Sequence, residues 1–128
     1  MEDHDKERFL HYGEHVMEMH EHLRALLHSL PIPVVVPDFI GDDGPNPEAV
    51  FALDRARHLI EDEPISRTRQ TSYQDLIIEW MTAYEMLVLT RVAGPAPWRL
   101  DCVEFAISRF TVLAEMIESG EVDEIDEP

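Results

Sequence analysis

Apolar residues recur every three or four positions along the first part of the chain. At about 100° of helical rotation per residue they fall within one arc of roughly 100°. Charged residues such as Glu14 and Arg24 project outside that arc. The pattern predicts an amphipathic helix over residues 2–30, which Pro31 ends because proline disfavours helical geometry in the residue before it. The arc consists of Tyr12, Val16, Met19, Leu23, Leu26, Leu27 and Leu30.

A proline-rich stretch, residues 31–47, follows this helix and reads PIPVVVPDFIGDDGPNP. Such a run favours extended or turn-forming backbone, in which Val34, Val35 and Val36 form at most a short edge strand. We expect it to pack over the helices as a strap, with an exposed interaction arm as the alternative.

A second helix begins at Asn46, because a capping side chain is followed by Pro47 in the first turn and by the acid Glu48 near the positive end of the helix dipole. We expect it to run to about residue 62. Its predicted buried residues are Val50, Leu53 and Ile60.

The third helix is predicted to begin at Thr71 or Ser72, with Asp75 in the position of a capping box, and to end at Gly94. Its apolar residues project almost all round, which is typical of a helix buried on every side. We therefore place it at the centre of the bundle or in a homodimer interface.

The fourth helix is predicted over residues 97–119, with Gly120 as its C-terminal cap. Its apolar side includes Trp98, Cys102, Phe105 and Arg109. Arg109 should therefore pair across the bundle with a carboxylate of the third helix, Glu79 or Glu85, because a lone buried charge is costly. The alternative is that its long side chain reaches solvent. The polar stripe of this helix consists of Asp101, Glu104, Ser108, Thr111, Glu115 and Glu118.

The sequence thus predicts an all-α protein. One helical domain of about four helices spans residues 1–120, the strap spans residues 31–47, and an acidic tail spans residues 121–128. Five acids and no base in that tail favour a solvated, frayed segment.

The net charge limits the classes of molecule that we expect the protein to bind. The chain has 27 acidic against 10 basic residues and a formal net charge of −17. Direct nucleic-acid binding needs Lys and Arg to displace counterions and is not expected, and anionic membranes are disfavoured for the same reason. A basic protein surface is the partner that this field would attract, although host composition is an alternative cause of the acidity, since Lys6 is the only lysine.

Compartment and chemistry are constrained by what the sequence lacks. No apolar run approaches the roughly 20 residues of a membrane span, and the first residues do not resemble a secretory signal. Cys102 is the only cysteine, so we expect a cytoplasmic protein and a buried structural thiol. No phosphate-binding loop or nucleophile motif occurs, so an enzyme is less expected than a binding protein.

Histidines cluster on the first helix and form the main candidate metal site. His11 and His15 are four residues apart, as are Glu18 and His22, which is the spacing at which one helix face grips a transition metal. Because His11 and His22 would lie roughly 16 Å apart, these are two half-sites that need ligands from another helix. The alternative is a solvated helix edge.

The leading hypothesis is a non-enzymatic acidic binding protein that occupies a basic surface on a partner, as an inhibitor, an immunity-type neutraliser or an adaptor, in one version competing with nucleic acid. The alternatives are a metal-binding protein and a helical accessory subunit of a larger enzyme. The predicted partner-binding residues are Asp101, Glu104, Glu115, Glu118, Glu121, Asp123 and Glu124.

Overall fold

The computed structural model describes residues 3–41, 44–94 and 96–124, without the side chain of Glu124. In this part of the chain two strands of two residues each pair antiparallel, and a 3-10 turn, Ile60–Asp62, extends the second helix. The all-α prediction is confirmed. The elements are α1 (Asp3–His28), β1 (Ile40–Gly41), β2 (Gly44–Pro45), α2 (Pro47–Leu59), α3 (Arg67–Ala93), α4 (Pro97–Ser119) and α5 (Glu121–Glu124).

The strap between α1 and α2 packs over the helices, as predicted. Its extended backbone alternates, so that Val34 and Val36 are buried while Val35 is exposed. Phe39 is also buried. The backbone N–H of Ile32 donates to the Glu63 carboxylate at 2.9 Å, which ties the start of the strap to the end of the 3-10 turn. The valines form no strand themselves.

Helix α2 begins as its sequence predicts. The Asn46 side-chain oxygen accepts a hydrogen bond from the Glu48 backbone N–H at 3.1 Å, which satisfies one of the free donors of the first turn. Leu53 and Ile60 are buried and Val50 is half-buried.

Helix α3 begins earlier than predicted, so the expected cap at Thr71 or Ser72 is wrong. Ser66 is the cap, and its hydroxyl oxygen accepts from the Arg69 backbone N–H at 3.1 Å. The Ser72 hydroxyl instead donates to the Thr68 carbonyl at 2.8 Å within the helix. Because the first turns of α3 are polar, the apolar pattern did not show where the helix begins.

The position of α3 is central, since it contacts α1, α2, α4 and α5. Its burial within one chain is incomplete, however, and the alternative of a homodimer interface through α3 stays a prediction. Ile78, Val88, Leu89 and Val92 are exposed. They lie on the face of α3 that no other described helix covers.

The core is centred on Trp80, whose indole N–H donates to the Val16 carbonyl of α1 at 2.9 Å. Tyr84 stacks on Trp80 with ring centroids 5.2 Å apart, and Phe39 of the strap meets both rings edge-on. The strap is therefore part of the core and not an appendage. None of the described helices is long and apolar enough to cross a membrane.

Helix α4 has its predicted bounds, and Gly120 ends it in the left-handed conformation, with φ of 82°. The predicted solvated tail is corrected in part. Residues Glu121–Glu124 form the short helix α5, and Val122 is buried against α3 and α4. Residues 125–128 lie outside the described part of the chain.

Candidate functional site

Polar contacts join α1 to α4 along one seam. Arg8 donates to Asp101 at 2.7 Å, and the Tyr12 hydroxyl donates to Glu104 at 2.7 Å. Further along, the His22 ring contacts the Glu118 carboxylate. The residue numbers of these contacts rise together on both helices, so α1 and α4 run parallel. His22 of α1 therefore lies beside the polar stripe of α4. We call this boundary the α1–α4 seam.

Hydrogen bonds from Arg8 and Tyr12 of α1 to carboxylates of α4 hold the first part of the seam. The side chain of Arg8 is only 19% exposed, and its hydrogen bond to Asp101 raises the pKa of the guanidinium above its ordinary value. The pKa of Tyr12 is also raised, first by burial and then by its hydrogen bond to Glu104. Both groups therefore keep their protons at neutral pH, and the network holds α1 against α4.

Several of the predicted partner-binding acids are engaged inside the molecule. Asp101, Glu104 and Glu118 hold the seam, and Asp123 pairs with Arg69 at 3.1 Å. A carboxylate beside a fixed cation offers a partner less charge than a free one. The structure thus assigns these four acids to contacts between helices.

The remaining predicted acids are Glu115, Glu121 and Glu124. Glu115 and Glu121 are exposed, and their carboxylates have no ion-pair or hydrogen-bond partner among the described residues. The side chain of Glu124 lies outside the described residues. Two carboxylates of the predicted set are therefore available at the surface.

The larger group of free carboxylates lies on α1. Glu7, Glu14 and Glu18 are exposed and have no ion-pair or hydrogen-bond partner in the described part of the chain. With spacings of seven and four residues they share one line along the helix, over roughly 16 Å. We call this line the acidic face of α1. Sequence reasoning treated Glu18 only as a metal ligand, although the helical spacing would have shown the face.

The predicted metal ligands do not meet at one point. The rings of His11 and His15 lie 5.7 Å apart between centroids, whereas His22 is engaged by Glu118. No three His, Cys, Asp or Glu side chains within the described residues are placed to hold one metal ion. The structure therefore keeps His11 and His15 as a pair and separates them from His22.

His20 is a buried histidine that sequence reasoning missed. It is fully buried between Phe39 and Trp80, with ring centroids 5.6 and 5.1 Å away, and neither ring nitrogen has a hydrogen-bond partner. Burial, followed by the charge of Arg24, lowers the pKa of His20 to about 4, while Asp38 opposes the shift. The imidazole is therefore neutral at physiological pH.

Arg109 pairs with Glu79 of α3 at 2.9 Å, as predicted, and not with Glu85. The guanidinium is more than half exposed, whereas only 16% of the Glu79 side chain is exposed. The pair thus lies at the surface between α3 and α4. The expectation of a buried thiol is wrong, because Cys102 lies exposed beside this pair.

Comparison of the chain with protein-family models, with curated proteins and with solved structures found no match.

Proposed function

We propose that this protein is a non-enzymatic binding protein that places the acidic face of α1 against a basic surface of a protein partner. The observation that carries the proposal is the row of three exposed carboxylates, Glu7, Glu14 and Glu18, which no described cation neutralises. An acid and a base three or four residues apart on a helix can form a stabilising pair. The carboxylates of Glu7, Glu14 and Glu18 form no ion pair in the described part of the chain and stay free for a partner.

The rest of the charge supports the same partner class. Most arginines among the described residues form ion pairs within the chain. For example, Arg8 pairs with a carboxylate of α4, Arg24 with one of the strap and Arg69 with one of α5. Exposed carboxylates without such a partner remain among the described residues, and the net charge of the whole chain is −17. Such a field accelerates association with a basic protein and repels nucleic acid and anionic lipid.

The protein would then act as an inhibitor, a neutraliser or an adaptor. If the basic surface of the partner itself binds nucleic acid, the protein would compete for it. An accessory subunit of a larger enzyme would use the same face, and the identity of the partner distinguishes these roles. The single cysteine supports placing this interaction in the reducing cytoplasm.

Affinity capture from native lysate tests the proposal. The test variant combines Glu7→Gln, Glu14→Gln and Glu18→Gln. The control variant removes the same charge from α2 and the 3-10 turn, through Glu48→Gln, Glu61→Gln and Asp62→Asn, which are exposed positions.

We expect the test variant to bind the captured partner at least about tenfold more weakly than the wild type, and the control variant to stay within about threefold. Equal weakening of both variants would show that only total charge matters. Unchanged binding of the test variant would exclude the acidic face as the site.

The second candidate function is metal binding, which the proximity of His11 and His15 favours. Two imidazoles four residues apart on a helix supply half of a tetrahedral site, and water or a partner would complete it. Zinc or nickel should then raise the melting temperature of the wild type by mass action, and His15→Ala should abolish the increase. The control is His28→Ala, on the last turn of α1. Equal metal responses in wild type and His15→Ala would remove this candidate.

A further inference from the structure

The strap covers an aromatic cluster that contains a buried histidine. The ring of His20 lies between Phe39 of the strap and Trp80 of α3, with centroid distances of 5.6 and 5.1 Å. Tyr84 stacks on Trp80 and meets Phe39 edge-on. His20 is fully buried and Phe39 is nearly so. Phe39 therefore closes the side of the cluster that faces the strap.

The ring nitrogens of His20 have no hydrogen-bond partner among the described residues. A neutral imidazole has one N–H donor and one acceptor, and burying both unpaired already costs stability. An imidazolium would bury two unpaired donors together with a charge, which is far more costly. The closed strap is therefore compatible only with the neutral form of His20.

Charged groups of two elements act on His20. Arg24, one turn later on α1, opposes its protonation, and Asp38 of the strap favours it. Asp38 is itself paired with Arg24, which limits its attraction for a protonated ring. From α3 the cluster receives Trp80, which does not titrate, and the phenol of Tyr84. No described carboxylate other than Asp38 favours a charged His20.

Polar contacts attach the strap to α1 at two neighbouring points. The Val34 backbone N–H donates to the Leu27 carbonyl at 3.1 Å, and the Val36 carbonyl accepts from Arg24 at 2.7 Å. The described part of the strap, residues 31–41, contains no helix and only the two-residue strand β1. A segment without a continuous hydrogen-bond ladder opens at a lower free energy than a helix that packs on several neighbours, as α3 does.

We propose that the strap is a pH-dependent cover, which opens when His20 binds a proton and then exposes Trp80 and Tyr84 while the helices stay packed. In the closed form Phe39 lies against the neutral ring. In the open form water reaches the imidazole, so the ring binds a proton without burying the charge. This conformational change is independent of the proposed binding through the acidic face of α1.

Acid favours the open form because His20 binds a proton more readily there. Burial, followed by Arg24, lowers the pKa of His20 to about 4 in the closed form, against an ordinary value of 6.5. Between these two values the open form binds more protons, so opening becomes more favourable as the pH falls. With the ordinary pKa regained on opening, the ratio of open to closed molecules rises roughly 25-fold between pH 7.5 and pH 5.

Thiol labelling of a cysteine under the strap measures the opening. The reporter is Val36→Cys, at a position that is 2% exposed, in a chain that also carries Cys102→Ser because Cys102 is exposed. The matched reporter is Val103→Cys in the core of α4, where Val103 is 0% exposed. The probe is a dipyridyl disulfide, which reacts with thiols in acid. Each rate is divided by the rate of the urea-unfolded chain at the same pH.

We expect labelling at position 36 to rise at least about tenfold between pH 7.5 and pH 5. At pH 5 it should be at least about tenfold faster than labelling at position 103, because the strap opens without the helices. His20→Leu and His20→Gln, which cannot titrate, should each hold the rise at position 36 within about threefold. His58→Leu, at an exposed position, is the control and should leave the rise unchanged.

Each contrary result rejects a defined part of the proposal. Equal labelling of positions 36 and 103 at pH 5 would mean that the whole fold opens, which overturns a separate movement of the strap. A rise that persists in both His20 variants would assign the pH dependence to other groups. Labelling at position 36 that does not change with pH would show that the strap stays closed in acid.

Discussion

His20 is held in a state that acid should disturb. Its ring fills the space between Phe39 and Trp80 without a hydrogen bond, so the folded protein accommodates the neutral form. The charged groups that act on it are Arg24, which opposes protonation, and Asp38, which favours it. The folded-state pKa of about 4 lies below the ordinary value of 6.5, so between these values the unfolded chain binds more protons and stability falls as the pH is lowered.

His20→Leu should therefore remove part of the acid sensitivity. The contribution of His20 to the free energy of unfolding should drop by about 2 kcal/mol between pH 7.5 and pH 5 in the wild type and be absent in the variant. At pH 7.5 the variant should be as stable as the wild type or more so, because it no longer buries unpaired nitrogens. Urea denaturation at both pH values measures this. His58→Leu, at an exposed position, is the control, and a pH dependence of His20→Leu equal to that of the wild type would contradict the prediction.

The Arg109–Glu79 pair should contribute modestly to stability. Because Arg109 is 59% exposed, a double-mutant cycle with Arg109→Met and Glu79→Gln should give a coupling of about 0.5 to 1 kcal/mol. The same cycle with Glu85→Gln should give none, since Glu85 does not contact Arg109. Thermal or urea unfolding of the four proteins in each cycle provides the values. Coupling to Glu85 instead of Glu79 would show a different pairing in solution.

For a single residue, the sequence predicts whether the side chain is buried only where contact with one neighbouring element determines the burial. The apolar arc of α1 was predictable from its period. His20 projects about 20° beyond that arc, and it is buried because the strap brings Phe39 over it. By contrast, Trp98, Phe105 and Cys102 are exposed. They project from an apolar side of α4 that is wider than α1 and α3 can cover.

Among the elements, α5 shows how a charged segment can still be anchored. Gly120 turns the chain at the end of α4, and Val122 enters the core with 1% of its surface exposed. The ion pair between Asp123 and Arg69 lies outside it. Burial of one apolar side chain, rather than the charge of the segment, places α5 against α3.

Val122→Ala should accordingly cost about 1 to 2 kcal/mol in the free energy of unfolding, as expected for deleting buried methyl groups. Asp123→Ala should cost less, about 0.5 kcal/mol, because the ion pair is solvent-exposed. Val35→Ala on the strap is the control and should have no effect, since Val35 is 75% exposed. Urea unfolding measures all three. A larger cost for Asp123→Ala than for Val122→Ala would mean that the ion pair holds α5.

Helix boundaries were predictable where a cap and a proline or glycine coincide. Asn46 with Pro47 fixed the start of α2, and Gly120 fixed the end of α4. The start of α3 was not predictable, because Ser66 precedes a polar turn in which no apolar residues recur at helical spacing. The seam between α1 and α4 was also outside the reach of pattern analysis, since contacts such as His22 with Glu118 depend on which helices become neighbours.

For the whole molecule, the free carboxylates of the acidic face lie on α1, whereas large apolar side chains such as Phe105 and Val112 are exposed on α4. Long-range attraction between these carboxylates and a basic partner would set the rate of encounter, and short-range contacts would set the lifetime of the complex.

The salt dependence of the association rate tests the central claim most directly. With the captured partner in stopped flow or surface binding, the association rate constant of the wild type should fall at least about tenfold between roughly 10 mM and 150 mM ionic strength. The Glu7, Glu14 and Glu18 variant should show a clearly shallower dependence than the control variant of equal net charge. An association rate constant that is indifferent to salt, or an identical salt dependence in both variants, would contradict recognition through the acidic face.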